Sequence, residues 1–201
     1  SKLFVDQIPV YNESFRNPFT SDVGVKWTVK KFDLEAGINW LLFDDYIYFD
    51  TSAKPRQLEG AFSINQFYVS KGFDFPWIGC KVKALWQPNV KTENAVPKSM
   101  FAGTVYGRIN LFKKKLTLLP CVDFTWYDSY AGTGYFPVNG AYHLTRGNEI
   151  PEYFRIDVGV GTKINFIKAF VRMEDIQGLI ENRVIYQAEF YPHYRGYLRF
   201  G

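Results

Sequence analysis

Apolar and polar residues alternate along most of this chain with a period of two. Val23, Val25, Trp27 and Val29 are interleaved with Gly24, Lys26, Thr28 and Lys30. Ile78, Cys80, Val82, Ala84 and Trp86 are interleaved with Gly79, Lys81, Lys83 and Gln87. A β-strand sends successive side chains to opposite faces, so this rhythm predicts strands with one dry and one wet face. Ten strands are expected: Lys2–Gln7, Asp22–Lys31, Leu34–Phe49, Gln57–Val69, Trp77–Gln87, Met100–Phe112, Leu116–Tyr127, Glu152–Lys163, Phe166–Glu174, and one beginning near Tyr194. In the fourth, Leu58, Phe62 and Ile64 read as dry, and a loss of phase near Gln66 suggests a bulge. Pro120 removes a ladder donor inside the seventh strand, and a local bulge there is expected to absorb it.

The joins alternate between long and short along the whole chain. Lys31-Phe32-Asp33, Ser70–Pro76, Lys113–Lys115 and Ile164-Asn165 are short. Pro9–Thr20, Asp50–Arg56, Pro88–Ser99, Asp128–Pro151 and the segment from Asp175 to about Phe190 are longer and richer in Gly, Pro, Asn and Ser. Tight turns at one end and long loops at the other are the layout of an outer-membrane β-barrel. The expected fold is therefore all-β: an antiparallel up-and-down transmembrane barrel forming one domain over residues 1–201. A soluble barrel with its apolar face inward has the same alternation. The sorted joins favour the membrane form, as do Trp40, Trp77, Trp86, Trp126 and Tyr127 near strand ends, where an aromatic girdle belongs.

Composition fits that picture. Apolar residues make up 47% of the 201 and aromatics 19%, a high aromatic share. No apolar run approaches the roughly 18 residues a spanning helix requires. The net charge of +4 is mild, and Lys and Arg are dispersed, so a nucleic-acid surface is not expected. Cys80 falls on the dry face and Cys121 on the wet face two strands away, a geometry that disfavours a disulfide.

The wet face carries the candidate chemistry. Lys26, Lys81, Lys83, Arg108, Asp123, Arg155, Asp157, Lys168, Arg172 and Glu174 are the expected lumen-lining residues. Basic side chains exceed acidic ones on this face, which predicts a mild preference for anions. The competing reading is that these charges pair across strands and hydrate a structural interior. Catalysis is not expected: His143 lies in the longest loop and His193 beside Pro192, neither with a nucleophile and acid next to it. No cofactor or metal is expected, because two dispersed histidines make no ligand set. Asp44-Asp45 and Glu174-Asp175 read as exposed rim charge.

The chain ends Phe190-Tyr191-Pro192-His193-Tyr194-Arg195-Gly196-Tyr197-Leu198-Arg199-Phe200-Gly201. This segment, with Arg172-Met173-Glu174-Asp175, resembles the final strands of Bacteroidota-type outer-membrane barrels. It is most similar to the Putative porin family, and secondly to barrels of TonB-dependent receptors. The resemblance is specific over roughly residues 150–201 and rests on general pattern upstream. It implies a bacterial outer-membrane location and passive diffusion of small polar solutes. It also implies a natural chain continuing past Gly201 to a terminal aromatic, and a larger barrel of which this is the C-terminal part. The alternatives are the barrel of a receptor-transporter, or a structural barrel docking a surface lipoprotein or secretion partner. Outer-membrane lipids are the expected partner in every membrane case, with a lipoprotein or another membrane subunit as the protein partner.

Overall fold

The computed structural model describes residues 4–5, 8–9, 15–52, 54–91, 95–113, 115–137, 140–181, 186–188, 191–192 and 196–201. Its centre is one antiparallel sheet of ten strand segments. These are β1 (Phe19–Val29), β2 (Leu34–Asp44), β3 (Phe62–Asp74), β4 (Ile78–Trp86), β5 (Ser99–Gly107), β6 (Ile109–Leu111), β7 (Leu116–Tyr127), β8 (Tyr153–Ile164), β9 (Ile167–Glu174) and β10 (Tyr197–Phe200). Neighbours in sequence are neighbours in space, in the order β10-β9-β8-β7-β5-β4-β3-β2-β1, with β6 continuing β5 along β7. This is the up-and-down meander that the alternating joins predict. The sheet is not closed: β1 and β10 are its edges.

The short joins all lie at one end. Val29 pairs with Leu34, Asp74 with Gly79, Leu111 with Leu116 and Ile164 with Ile167, so each turn spans four residues or fewer. Asp33, Phe112, Lys113 and Asn165 adopt positive φ there, as chain reversals this tight require. The expected first strand, Lys2–Gln7, does not join the sheet. Phe4–Val5 pairs with Ile8–Pro9 in a separate small ladder, and the rest of that segment lies outside the described residues.

Four expected elements are redrawn. The strand read as Leu34–Phe49 breaks at Asp45, whose φ is +52°. Tyr46–Phe49 then pairs with Pro55–Leu58 in a hairpin of its own, which detaches the start of the expected Gln57–Val69 strand. The segment Asp128–Pro151 is not an open loop but contains a hairpin of Tyr130–Phe136 against Ala141–Ile150. The long join after Glu174 holds a short helix, α1 (Ile176–Glu181), too brief to show a helical period in the sequence.

Neither expected bulge is present. β3 pairs with β2 in one unbroken register, Leu34 with Lys71 through Phe43 with Phe62. That register puts Phe62 and Ile64 on the same face as Gln66 and Tyr68, the wet face, which reverses their predicted side. The phase changes because Phe62 and Ile64 pack inward at the long-loop end, where they are buried. Phe62 stacks on Phe43 at 5.1 Å and meets Tyr46 edge-on at 5.8 Å. At Pro120 the ladder simply stops. Pairing with β7 halts at Tyr106↔Cys121 and resumes at Ile109↔Leu118 in the same register. The Arg108 N–H in the gap donates to the Trp77 carbonyl instead, at 3.0 Å.

Candidate functional site

Directly opposed residues in antiparallel strands share a face. The wet face can therefore be followed across the sheet from register alone. Lys81 opposes Thr104, Thr104 opposes Asp123, and Asp123 opposes Asp157. Glu174 opposes Tyr197 on the next pair of strands. One residue-pair along, Thr125 opposes Arg155; on the other side, Gly159 opposes Arg172 and Arg172 opposes Arg199. Gly159 leaves room there: a Cβ on it would sit 3.3 Å from Cys121 Sγ and 3.5 Å from Arg172 Cβ.

The result is a ladder of alternating charge on β7–β10. Arg155 grips Asp157 with two bonds, Nε to Oδ1 at 2.8 Å and Nη2 to Oδ2 at 3.0 Å, and reaches Glu174 Oε2 at 2.8 Å. Arg172 Nη2 lies 2.8 Å from Asp157 Oδ2 and 2.9 Å from Asp123 Oδ2. Arg199 Nη1 holds Glu174 Oε1 at 2.9 Å, and the Tyr197 hydroxyl donates to Oε2. Thr104 donates to Asp123. Planar guanidinium forks suit paired carboxylates better than ammonium groups do, which accounts for the Arg content of this ladder.

The ladder also anchors the join that follows β9. Asp175, at φ +54°, turns inward so that its N–H donates to Asp157 Oδ1 at 2.8 Å. Its carboxylate accepts from the Tyr153 hydroxyl and from the Gly178 N–H of α1. Helix α1 packs against β8. Glu174 is only 4% exposed and Asp175 only 2%, so the expectation of exposed rim charge at this pair is wrong. Their burial follows from the chain folding back over the wet face, which no local pattern reveals.

Five predicted residues, Asp123, Arg155, Asp157, Arg172 and Glu174, thus meet in one network. The others do not join it. Lys26 pairs with Glu35 at 3.3 Å. Lys83 faces Ser70, whose other neighbour across the sheet is Glu35. Lys168 stands directly opposite Lys163, two like charges side by side. Arg108 sits in the strand break, beside a recess it lines with Asp74, Tyr106 and Trp77. Among the described residues, Lys81, Lys83, Lys163 and Lys168 make no ion pair. Tyr127, expected in the outer girdle, faces the wet side instead and packs on Tyr130 and Tyr153 at 6.0 and 5.7 Å.

The opposite face is mainly apolar from edge to edge, though β3 also places Ser63, Asn65 and Lys71 on it. Val25, Trp27, Trp40, Trp86, Phe101, Phe154 and Val171 are all exposed on it. His143 lies in the Tyr130–Phe136/Ala141–Ile150 hairpin with Nδ1 3.0 Å from the Leu144 carbonyl, and His193 lies outside the described residues. Among the described residues no group of three or more His, Cys, Asp and Glu could hold a metal ion. No helix among them is long and apolar enough to cross a membrane.

Neither the curated proteins nor the solved structures contain a match to this chain. A family model described as Putative porin matches residues 5–201, nearly the whole length. An antiparallel meander with one apolar and one charged face, short turns at one end and long joins at the other, is what such a family requires, and the chain belongs to it.

Proposed function

We propose that the chain forms wall of a bacterial outer-membrane channel for passive diffusion of small polar solutes, with a mild preference for anions. The observation that carries this reading is the sorting of the two faces. One is mainly apolar across the sheet, and the other is charged from Lys26 on β1 to Arg199 on β10. In lipid the apolar face points outward and the charged face lines water. The short turns are then periplasmic and the long joins external.

The open edges bear on barrel size. Nine strand positions at about 4.8 Å supply roughly 43 Å of wall. Unpaired strand edges are not tolerated in hydrocarbon, so β1 and β10 need partners. The reading here is that further strands complete a larger barrel, wide enough for water. Outer-membrane lipids cover its outside, and a surface lipoprotein or another membrane subunit is the protein partner in reserve.

Ion selectivity follows from which charges are already neutralised. The Arg155, Arg172 and Arg199 guanidinium groups are matched by Asp123, Asp157 and Glu174 within the ladder. The ammonium groups of Lys81, Lys83, Lys163 and Lys168 are left to attract mobile anions. Reversal potentials in planar bilayers under a salt gradient test this. A potential displaced toward the anion, and moved toward zero by K81Q/K83Q, supports it. Inserted protein that conducts nothing overturns the channel. That silent outcome would favour a structural barrel instead, a reading to which the inward-turned Asp175 and α1 lend weight.

A further inference from the structure

We propose that the outer face of the short-turn rim carries a phospholipid headgroup site, formed by Lys31 and Lys71 around the rings of Phe32 and Phe73. Its ligand would be the phosphate of an anionic glycerophospholipid in the leaflet at that end. The proposal rests on the membrane-barrel reading given above.

Lys71 is the anomaly that points to it. It stands on the apolar face, between Val69 and Phe73 along β3 and opposite Leu34 and Val82. A lysine on a lipid-facing strand is tolerated near the interface and opposed at mid-bilayer. Lys71 therefore needs its ammonium at headgroup depth, and its side chain runs that way. Nζ donates to the Phe32 carbonyl in the β1–β2 turn. It lies 4.9 Å from the centroid of Phe73 and 5.9 Å from that of Phe32. Lys31 Nζ approaches the same Phe32 ring at 5.8 Å. Two ammonium groups thus gather on one aromatic ring at the edge of the apolar belt, a cation–aromatic arrangement suited to the interface.

The acids of this rim point the other way. Asp33 follows Phe32 in sequence, yet its carboxylate lies against Gly72, which faces the lumen side with Lys81. Asp74 accepts from the Tyr106 hydroxyl on that same inner side. Lys31 and Lys71 make no ion pair among the described residues. Both keep donors to spare, since an ammonium has three. Val69, one step further into the sheet, is exposed and continues the apolar surface an acyl chain would follow, while Phe73 and Ile78 are exposed on the turn side of Lys71. Exposed rings at the neighbouring turns, Phe75, Trp77, Phe112 and Phe166, extend an aromatic rim at the same level. Clustered lysines just beyond a membrane's apolar zone attract anionic headgroups, whose phosphate this pair is placed to clasp.

The test is lipid retention by the full chain assembled in nanodiscs containing phosphatidylglycerol, measured by native mass spectrometry after transfer to a neutral detergent. The wild type should retain phosphatidylglycerol. K31Q/K71Q should weaken retention by about 30-fold, the factor two interfacial lysines supply. K113Q/K115Q removes the same charge from another turn and should leave retention unchanged. K71Q alone changes no residue of the β1–β2 turn, though it removes the Nζ bond to the Phe32 carbonyl, and it should lower retention by about fivefold. Equal loss in K31Q/K71Q and K113Q/K115Q would mean diffuse rim charge and would overturn the site. Unchanged retention in K71Q would do the same, as would displacement by lipid A in preference to phosphatidylglycerol. A chain that stays in buffer and never enters nanodiscs would instead sink the membrane-barrel reading itself.

Discussion

Replacing Arg155 by methionine should loosen the barrel wall by about 3 kcal/mol. Among the described residues the side chain makes three charge-assisted bonds, two to Asp157 and one to Glu174, all between 2.8 and 3.0 Å. Such bonds contribute about 1.5–3 kcal/mol each, which sets a ceiling of about 5–9 kcal/mol. Two effects hold the real loss below that ceiling. Asp157 keeps Arg172 and the Asp175 N–H, each at 2.8 Å, and Glu174 keeps Arg199 at 2.9 Å. Water also reaches the site, since the Arg155 side chain is 25% exposed. What remains is the cost of two carboxylates, 6% and 4% exposed, each stripped of one cation. Urea unfolding of the barrel folded into lipid vesicles, followed by tryptophan fluorescence, measures the loss. R155K keeps the charge but not the planar fork, so it should lose about half as much. In a cycle with D157N the two changes should couple by about 1–3 kcal/mol. A single loss under about 0.5 kcal/mol with no coupling would show that these pairs behave like exposed surface ion pairs, and would refute the ladder as a stabilising element.

The faces can be checked through the two free cysteines. Cys121 opposes Tyr106 and Gly159 on the charged face, whereas Cys80 opposes Phe73 and Val105 on the apolar one. A charged thiosulfonate should modify Cys121 in the C80S protein, and only a lipophilic maleimide should reach Cys80 in the C121S protein; the opposite pattern would invert the sheet. Phe62→Ala should cost about 3–4 kcal/mol in the same urea assay, because it empties the inward cluster with Phe43 and Tyr46. A cost below about 1 kcal/mol would place Phe62 back on the lipid side, where alanine leaves no cavity. Asp50, in the turn of the Tyr46–Phe49/Pro55–Leu58 hairpin, should titrate low. Partial desolvation pushes its carboxyl up, but the Arg56 guanidinium and the Lys54 and Ser52 N–H groups outweigh this and hold it below the ordinary value. A depressed folded value means the turn gains stability above the unfolded value of about 3.9 and loses it as pH falls through the folded one. Amide shifts of Ser52 and Lys54 followed by NMR should therefore move with a midpoint below about 3.9, and a midpoint at or above that would break the argument.

Sorting by face was legible in the chain itself for most strands. Asp123, Arg155, Asp157, Arg172 and Glu174 alternate with apolar neighbours, so period two places them together without coordinates. The meander, the sorted turn and loop ends, and the opposite placement of Cys80 and Cys121 follow from the same rhythm. The failures occur where the rhythm and the packing disagree. Phe62 and Ile64 are apolar, so they read as lipid-facing; the continuous β2–β3 register turns them inward into a cluster above the lumen. Tyr127 likewise looks like girdle and packs on Tyr153.

Strand existence, strand count within one or two, and membership of the wet face were set by local chemistry, because an extended backbone leaves a side chain only two directions to point. Register is a different quantity. It fixes which wet residues stand opposite one another, and so only the assembled sheet decides that Arg155 meets Glu174 and Arg172 meets Asp157 while Lys168 meets Lys163. The same holds for Asp175 and α1, buried by a chain reversal onto a face that residues almost twenty positions upstream had already built. Local alternation names the faces of this wall, and long-range pairing decides which of its charges are neutralised and which remain to act on a solute.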